Sequence, residues 1–263
     1  MDDFWTAQWE KVDFISDLQK KYGCPVLHAG DLFNHWKPSP HLLSVAMVYL
    51  PNEFYTILGN HDLPQHNLEL TFKCGVYTLL TARKLEIVEG YHWGEIPTTC
   101  PSITIGKRDI LMWHIMTYQG KRPWAGCTDS LAAGLLRKYP QYDLILTGHN
   151  HKPFTEEYNG RHLVNPGSLT RQDADQVDQI PSIYLWFALD NIVQRVELPH
   201  EKDVISRAHI DKIEQRDNRI DAFISKLDSD WKAGMSFEQN LEEFFKTNQV
   251  RDSVKQIIYK AIE

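Results

Sequence analysis

No apolar run of about eighteen residues, the length a membrane-spanning helix needs, occurs in the 263-residue sequence. The chain also opens without a charged-then-apolar leader, so it is expected neither to span a membrane nor to be secreted. Cysteine is scarce: Cys24, Cys74, Cys100 and Cys127 stand far apart, with no Cys-x-x-Cys pair. That spacing excludes a zinc ribbon and a disulfide frame, and reads as reduced thiols in a cytoplasmic protein. An excess of positive charge is missing too. A formal net charge of −7 gives no electrostatic footprint of a general nucleic-acid binder. It leaves a nuclease open, because divalent cations and a few local lysines and arginines can carry phosphate binding. Internal repeats and low-complexity tracts are absent as well. What is present is apolar content. With 42% hydrophobic and 11% aromatic residues there is enough for one large core, or one core with a small appendage.

Four short polar segments each end an apolar run that reads as a strand. Val26-Leu27 leads to Gly30-Asp31, and Phe54-Tyr55-Thr56-Ile57-Leu58 to Gly59-Asn60-His61-Asp62. Ile110-Leu111-Met112-Trp113 leads to His114, and Leu144-Ile145-Leu146 to Gly148-His149-Asn150-His151. Side chains delivered from strand ends converge at one edge of a sheet, where α/β folds place their sites. Each segment alone has a plainer reading. Gly, Asn and Asp favour turns, and one histidine after an apolar run is commonly a buried structural residue. Four such ends in this order outweigh those readings.

The donors are oxygen and nitrogen only. Asp31 offers a carboxylate able to bridge two cations, Asn60 a neutral carbonyl oxygen, and His114, His149 and His151 imidazole nitrogens. A set without thiolates suits manganese, iron or zinc at five or six coordination better than a structural zinc. Two such cations, about 3.5–4 Å apart, clamp a phosphoryl group and generate hydroxide at neutral pH. His61 directly follows a ligand, so its ring is expected to face substrate. There it would protonate a leaving alkoxide or stabilise the pentavalent transition state. Asp62 is expected to orient and acidify that imidazole.

The series Gly-Asp, Gly-Asn-His-Asp, His and Gly-His-x-His, together with their order, resembles the calcineurin-like metallophosphoesterase family. The resemblance implies an α/β fold, a two-sheet β-sandwich flanked by helices, carrying a dinuclear metal centre. It assigns Asp31 as bridging ligand, Asn60, His114 and His149 to one metal, His151 to the other, and His61 as the catalytic histidine. The stretch Val26–Phe33, followed by Lys37-Pro38-Ser39-Pro40, is similar to the nuclease subunit of SbcD-type DNA repair complexes. So is Val164-Asn165-Pro166-Gly167-Ser168. This narrower likeness implies a DNA nuclease, exonuclease or endonuclease, using two manganese ions (iron or zinc being alternatives), with an SbcC-type ATPase as partner. The site chemistry alone fits equally a phosphodiesterase or phosphatase for small nucleotides or phosphoproteins.

The family normally opens with Asp-x-His on a first strand, which gives two ligands to the metal that His151 serves. Here a helix is expected from Trp5 to Tyr22, with Asp2 and Asp3 as acids favourable to its N-terminal end. The expectation is a missing first strand and an incomplete second metal site. The alternatives are a variant that works with one complete site, or a catalytically impaired binding scaffold. A smaller departure follows Asp-Leu-Phe, where some relatives place histidine and this chain has Asn34, then His35.

Strands and helices are expected to alternate to about residue 150, with helices at His41–Leu50 and Asp129–Lys138, which argues for parallel strands. Asn159-Gly160 between Phe154–Tyr158 and Arg161–Val164 is a hairpin signal. Ser182–Leu189 with Ile192–Leu198 reads as a second hairpin. Beyond Pro199 the chain turns charged and helical. Ile210, Ile213, Ile220, Phe223, Ile224 and Leu227 form a helical stripe, and further helices are expected over Phe237–Phe245 and Val250–Ile262. The expected division is a metallophosphoesterase domain over residues 1–199 and a helical extension over 200–263, serving either packing or docking of the ATPase. His28 is expected to be structural, while His35 and His66 are unassigned. Lys121, Arg122 and Trp124 read as a nucleic-acid contact or as a solvated loop, and Arg171 is a candidate phosphate contact.

Overall fold

The computed structural model describes residues 4–95, 102–122, 127–171, 176–202 and 237–262. Helix α1 (Phe4–Tyr22) hands the chain to β1 (Val26–His28) through Gly23, whose φ of 57° lies in the left-handed region. Helix α2 (Pro40–Tyr49) is started by Ser39, whose side chain accepts the Leu42 N–H, and by Pro40 in the first turn, where no N–H is needed. Strand β2 (Phe54–Thr56), two 3-10 turns (Pro64–His66 and Leu68–Lys73), α3 (Gly75–Thr81) and β3 (Glu86–Ile87) follow. The three strands form a parallel sheet in the order β1-β2-β3.

The second sheet holds five strands. Strands β4 (Ile103–Ile105) and β5 (Arg108–Trp113) come first, then β6 (Thr117–Tyr118), β7 (Ser130–Leu131) and α4 (Ala132–Lys138). Next are β8 (Leu144–Thr147), β9 (Phe154–Tyr158), β10 (Arg161–Asn165), β11 (Ser182–Phe187) and β12 (Ile192–Glu197). The order in the large sheet is β4-β5-β8-β10-β9, parallel at its centre and antiparallel at both edges. Strands β6 and β7 pair in parallel, and β11 and β12 form an antiparallel hairpin.

The two-residue period of a strand sorts the apolar residues into layers. Ile110, Met112, Leu144, Leu146 and Val164 face inward and meet Ala29 and Ile57 of the first sheet and Trp186 of the hairpin. Leu111, Ile145 and Leu163, one position along, face outward under Leu135 and Leu136 of α4. The outer face of the first sheet packs Phe54 and Leu58 against Ala46 of α2 and Leu79 of α3. The fold is therefore α/β, a two-sheet sandwich flanked by helices. Ile57, Ile110 and Met112 have no exposed surface, so truncating any one of them to alanine costs about 2–5 kcal/mol.

Asn159 and Gly160 turn β9 into β10 at φ 51° and 70°, the left-handed pair that a two-residue hairpin loop requires. The expected strict alternation of strand and helix breaks at β4–β5. A turn at Gly106-Lys107 (φ 58° and 67°) folds these strands into an antiparallel hairpin. Helix α4 starts at Ala132 rather than Asp129, because Ser130-Leu131 is drawn into pairing with Thr117-Tyr118.

The chain forms two compact units, Met1–Ile205 and Ser206–Glu263. In the second, α5 (Phe237–Thr247) and α6 (Asp252–Ile262) close around Leu241, Phe244, Phe245, Val250 and Ile258. The helix expected over Ile210–Leu227 lies outside the described residues, as do Asp2, Asp3, Cys100 and Trp124. Among the described residues no helix is long and apolar enough to cross a membrane.

Candidate metal centre

Loops leaving β1 and β2 of one sheet, and β5 and β8 of the other, meet at a single edge. Two glycines let them touch. A Cβ on Gly148 would stand 2.2 Å from the Ala29 carbonyl oxygen, and one on Gly59 would stand 2.1 Å from Asp31 Oδ1. Asp31 and His149 themselves sit at φ 59° and 73°, a sparsely populated region for residues other than glycine.

Asn60 Oδ1 lies 3.1 Å from His114 Nε2 and 2.9 Å from His149 Nδ1. His114 Nε2 also lies 3.2 Å from Asp31 Oδ2. On its other side, His114 Nδ1 donates to the Ala29 carbonyl at 2.6 Å. With Nδ1 held there, the Nε2 edge of His114 is turned toward a carboxylate oxygen and an amide oxygen. Two oxygens and imidazole nitrogens converging at these distances form a mixed donor set that suits a cation. A backbone carbonyl holding the far ring nitrogen is also the usual way a metal-binding histidine is oriented. The ligand atoms of Asp31, His114 and His149 all lie within 4.8 Å of one another. These residues fit a divalent cation.

Electrostatics act on two of these groups. Burial alone would raise the Asp31 carboxyl, but the hydrogen bond and charge of His114 and the N–H of His61 outweigh it and hold the group low. Burial, and after it the neighbouring His114, pushes His149 down toward its neutral form, which is the form that ligates.

His61 is exposed beside this cluster. Its backbone N–H donates to Asp31 Oδ1 at 2.8 Å, and its Nδ1 donates to the Asn34 carbonyl at 2.9 Å. Nε2 is left to act on whatever enters the cleft. Asp62 does not take the part expected of it. Its carboxylate, 1% exposed, accepts the backbone N–H groups of Asp31 (2.8 Å), Leu32 (3.0 Å) and Gly59 (3.0 Å). The Asn34 carbonyl orients His61, and Asp62 ties the β1 loop to the β2 loop. Burial is the main reason its carboxyl is pushed up to about 6, with the Asp31 charge adding to it against the N–H bonds.

A cleft of about 320 Å³ opens here, with Asp31, His61, Met116, His149, His151 and Lys152 on its walls. His151 is thus beside the cluster but outside the group of converging ligand atoms. The segment after β10 holds the histidine loop. Buried Asn165 donates to the carbonyls of Asn150 (2.7 Å) and Lys152 (2.8 Å), and the Ser168 N–H donates to the His151 carbonyl (3.1 Å).

Arg171, a candidate phosphate contact by sequence, instead bonds the carbonyls of Val177 and Glu201. Lys121 and Arg122 are exposed. His28 donates from Nδ1 to Thr56 Oγ1 (2.9 Å), whose own proton goes to the Ile57 carbonyl, and burial pushes the imidazole down to about 4. His35 Nδ1 accepts the Lys37 N–H, and His66 Nδ1 donates to the Asn60 carbonyl. Trp93, which no motif singles out, packs its ring on that of His149.

Residues 7–185 match the calcineurin-like phosphoesterase superfamily domain. The chain belongs to this superfamily. Membership supports a metal-dependent hydrolase. The metallophosphoesterase is also 26% identical over 174 residues to the DNA double-strand break repair protein Mre11 of Methanocaldococcus jannaschii. That alignment covers 54% of this chain and 44% of the relative, so the chain spans less than half of the relative's length. Among solved structures, an archaeal phosphodiesterase is similar at a TM-score of 0.43 and 15% identity, over 72% of this chain and 92% of that one. A zinc-bound Vps29 from Entamoeba histolytica is similar at a TM-score of 0.31 and 22% identity, over 65% and 97%.

Proposed function

We propose that this metallophosphoesterase is a phosphodiester hydrolase acting on DNA, of the SbcD type. The observation that carries the reading is the convergence of Asp31 Oδ2, Asn60 Oδ1, His114 Nε2 and the His149 ring on one point. Asp31, Asn60, His114 and His149 would hold one cation, with manganese proposed and iron or zinc as alternatives. His151, with Asp31 as the shared ligand, would serve a second and weaker position. Such cations supply charge for phosphoryl oxygens and lower the pKa of bound water.

The remaining chemistry belongs to this chain's own groups. With Nδ1 held by the Asn34 carbonyl, His61, on the wall of the cleft, has Nε2 as its working nitrogen. When protonated, it hydrogen-bonds a phosphoryl oxygen or gives its proton to the leaving alkoxide. Asp62 keeps the two ligand-bearing loops in register. The 26% identity to a protein named for DNA double-strand break repair supports DNA as substrate. Val254, Ile257 and Tyr259 of α6 are exposed, which supports the reading of the C-terminal helices as a docking face for an SbcC-type ATPase. The free thiols of Cys24, Cys74 and Cys127 support residence in the cytoplasm.

A second reading, hydrolysis of small nucleotide diesters, is favoured by the net charge of −7 and by the modest cleft. Single- and double-stranded oligonucleotides, bis-para-nitrophenyl phosphate and cyclic nucleotides should be offered with manganese to the wild-type chain and to Asp31→Ala. Cleavage of DNA that Asp31→Ala abolishes supports the first reading. Turnover of the small diesters alone moves the assignment to the second. Tight manganese binding with no hydrolysis of either leaves a binding scaffold.

A further inference from the structure

We propose that Trp93 is a positioning residue that fixes the imidazoles of His149 and His114 for the cation, an inference that rests on the metal-binding reading above. The backbone around Trp93 is fastened to both sheets. Its N–H donates to the Leu58 carbonyl at 2.9 Å, and the Leu58 N–H donates to His92 Nδ1 at 3.0 Å, immediately before Gly59-Asn60. On the other side, the Tyr91 N–H donates to the Met112 carbonyl and the His114 N–H donates to the Tyr91 carbonyl, both at 2.9 Å. His92 is closed onto Glu95 by an N–H···Oε2 bond of 2.7 Å. Trp93 is therefore built into the gap between the Asn60 loop and the His114 strand end.

Its ring backs His149, whose ring contact to the loop after β2 is Nδ1 at 2.9 Å from Asn60 Oδ1. His114 is held through Nδ1 by the Ala29 carbonyl, whereas His149 stands on a left-handed residue outside any strand or helix. The Trp93 ring lies 4.7 Å from the His149 ring at an interplanar angle of 33°, and meets the His114 ring edge-on at 6.0 Å and 72°. His114 and His149 touch each other edge-on at 5.3 Å, so the three rings form one packed group. A flat aromatic face against an imidazole limits rotation about its χ2 and lowers the local dielectric around the ligand atoms. Both effects favour the ligating geometry. His66 packs against Trp93 at 6.4 Å while donating to the Asn60 carbonyl, which ties the Asn60 loop to the same group.

The test is manganese binding by titration calorimetry on the full chain and on Trp93→Phe, Trp93→Leu and Trp93→Ala. Thermal unfolding of each metal-free protein and the visible spectrum of its cobalt-loaded form go with it. Outer-shell partners are typically worth about 10–100-fold in metal affinity. Trp93→Leu and Trp93→Ala should bind at least about tenfold more weakly with an altered cobalt spectrum, while Trp93→Phe, which keeps a flat ring, stays close to wild type. Should Trp93→Ala fail to fold, the Phe–Leu contrast decides. Trp93→Leu binding as tightly as wild type overturns the proposal, even where metal-free stability falls, and so does Trp93→Phe binding no better than Trp93→Leu. A wild-type chain that takes up no manganese, cobalt or zinc removes the metal-binding reading itself, and this inference with it.

Discussion

Replacing Asp62 separates two accounts of that carboxylate, because Ala and Asn remove different things. Three backbone N–H groups, from Asp31, Leu32 and Gly59, end on its two oxygens, Oδ2 taking two of them and Oδ1 one. Asp62→Ala orphans all three, at about 1–3 kcal/mol each and so about 3–9 kcal/mol together. Asp62→Asn keeps one oxygen where two N–H groups converge and loses only the third bond. Against these losses stands the charge. A carboxyl raised from 3.8 to about 6 in the fold costs on the order of 3 kcal/mol once it is ionised. Because the folded pKa is the higher one, the fold binds the proton more tightly than the unfolded chain does. Stability from this group is greatest below about pH 3.8 and is lost as pH rises through about 6. At pH 7 the alanine variant should therefore be less stable than wild type by about 3 kcal/mol, and the asparagine variant near neutral or slightly better. At pH 4, where wild-type Asp62 is largely protonated, asparagine should cost about 1–3 kcal/mol. Urea denaturation in chelator at the two pH values measures both. Equal stability of the two variants, or an asparagine cost that does not change with pH, refutes the assignment of Asp62 as the tie between loops. A structural tie also predicts that Asp62→Asn keeps its metal.

Three further outcomes are expected. His61→Ala should keep full metal occupancy by elemental analysis and lose about 10²–10⁴-fold in turnover; loss of metal as well would place His61 among the ligands. Asp31→Ala should lose both manganese binding and activity, since its carboxylate faces His114 Nε2 at 3.2 Å and takes the His61 N–H; retained manganese by calorimetry would remove it from the ligand set. Gly148→Ala drives a Cβ to 2.2 Å from the Ala29 carbonyl oxygen, so the β8 loop must move. Metal affinity should fall at least about tenfold, and unchanged affinity would show that the loops have slack.

The sequence carries the ligand-bearing strand ends well, because Ile110–Trp113 and Leu144–Leu146 are uninterrupted apolar runs, the first ending at His114 and the second, past the buried strand residue Thr147, at Gly148-His149. It carries the Asn159-Gly160 turn for a similar reason, since few residue pairs accept two left-handed positions. It does not carry the partner of Asp62. Reading along the chain pairs Asp62 with its neighbour His61, whereas its real partners lie up to thirty-one residues away in sequence and are backbone groups, which every residue has. Trp93 is hidden for the same reason: its place is set by its own N–H on the Leu58 carbonyl and by Tyr91, two residues earlier, bonded to Met112 and His114, not by a spacing. Arg171 illustrates the opposite error, a cation next to a recognisable turn that spends its donors on nearby carbonyls. Strands β6 and β7, two residues each, are too short to leave a period.

The four residues proposed to hold the first cation are divided evenly between the halves of the sandwich, Asp31 and Asn60 from one sheet, His114 and His149 from the other. A cation held by them acts as a clasp. It can bind only while the sheets are closed, so each tenfold rise in free cation above its dissociation constant adds about 1.4 kcal/mol to closure, reaching about 2.7 kcal/mol at a hundredfold excess. Separation of the sheets and release of the ion become one event, so a chelator reaches the interior by way of the rim. With the proposed cation bound, the supply of free metal would set how often the interior of this protein opens to solvent and to proteases.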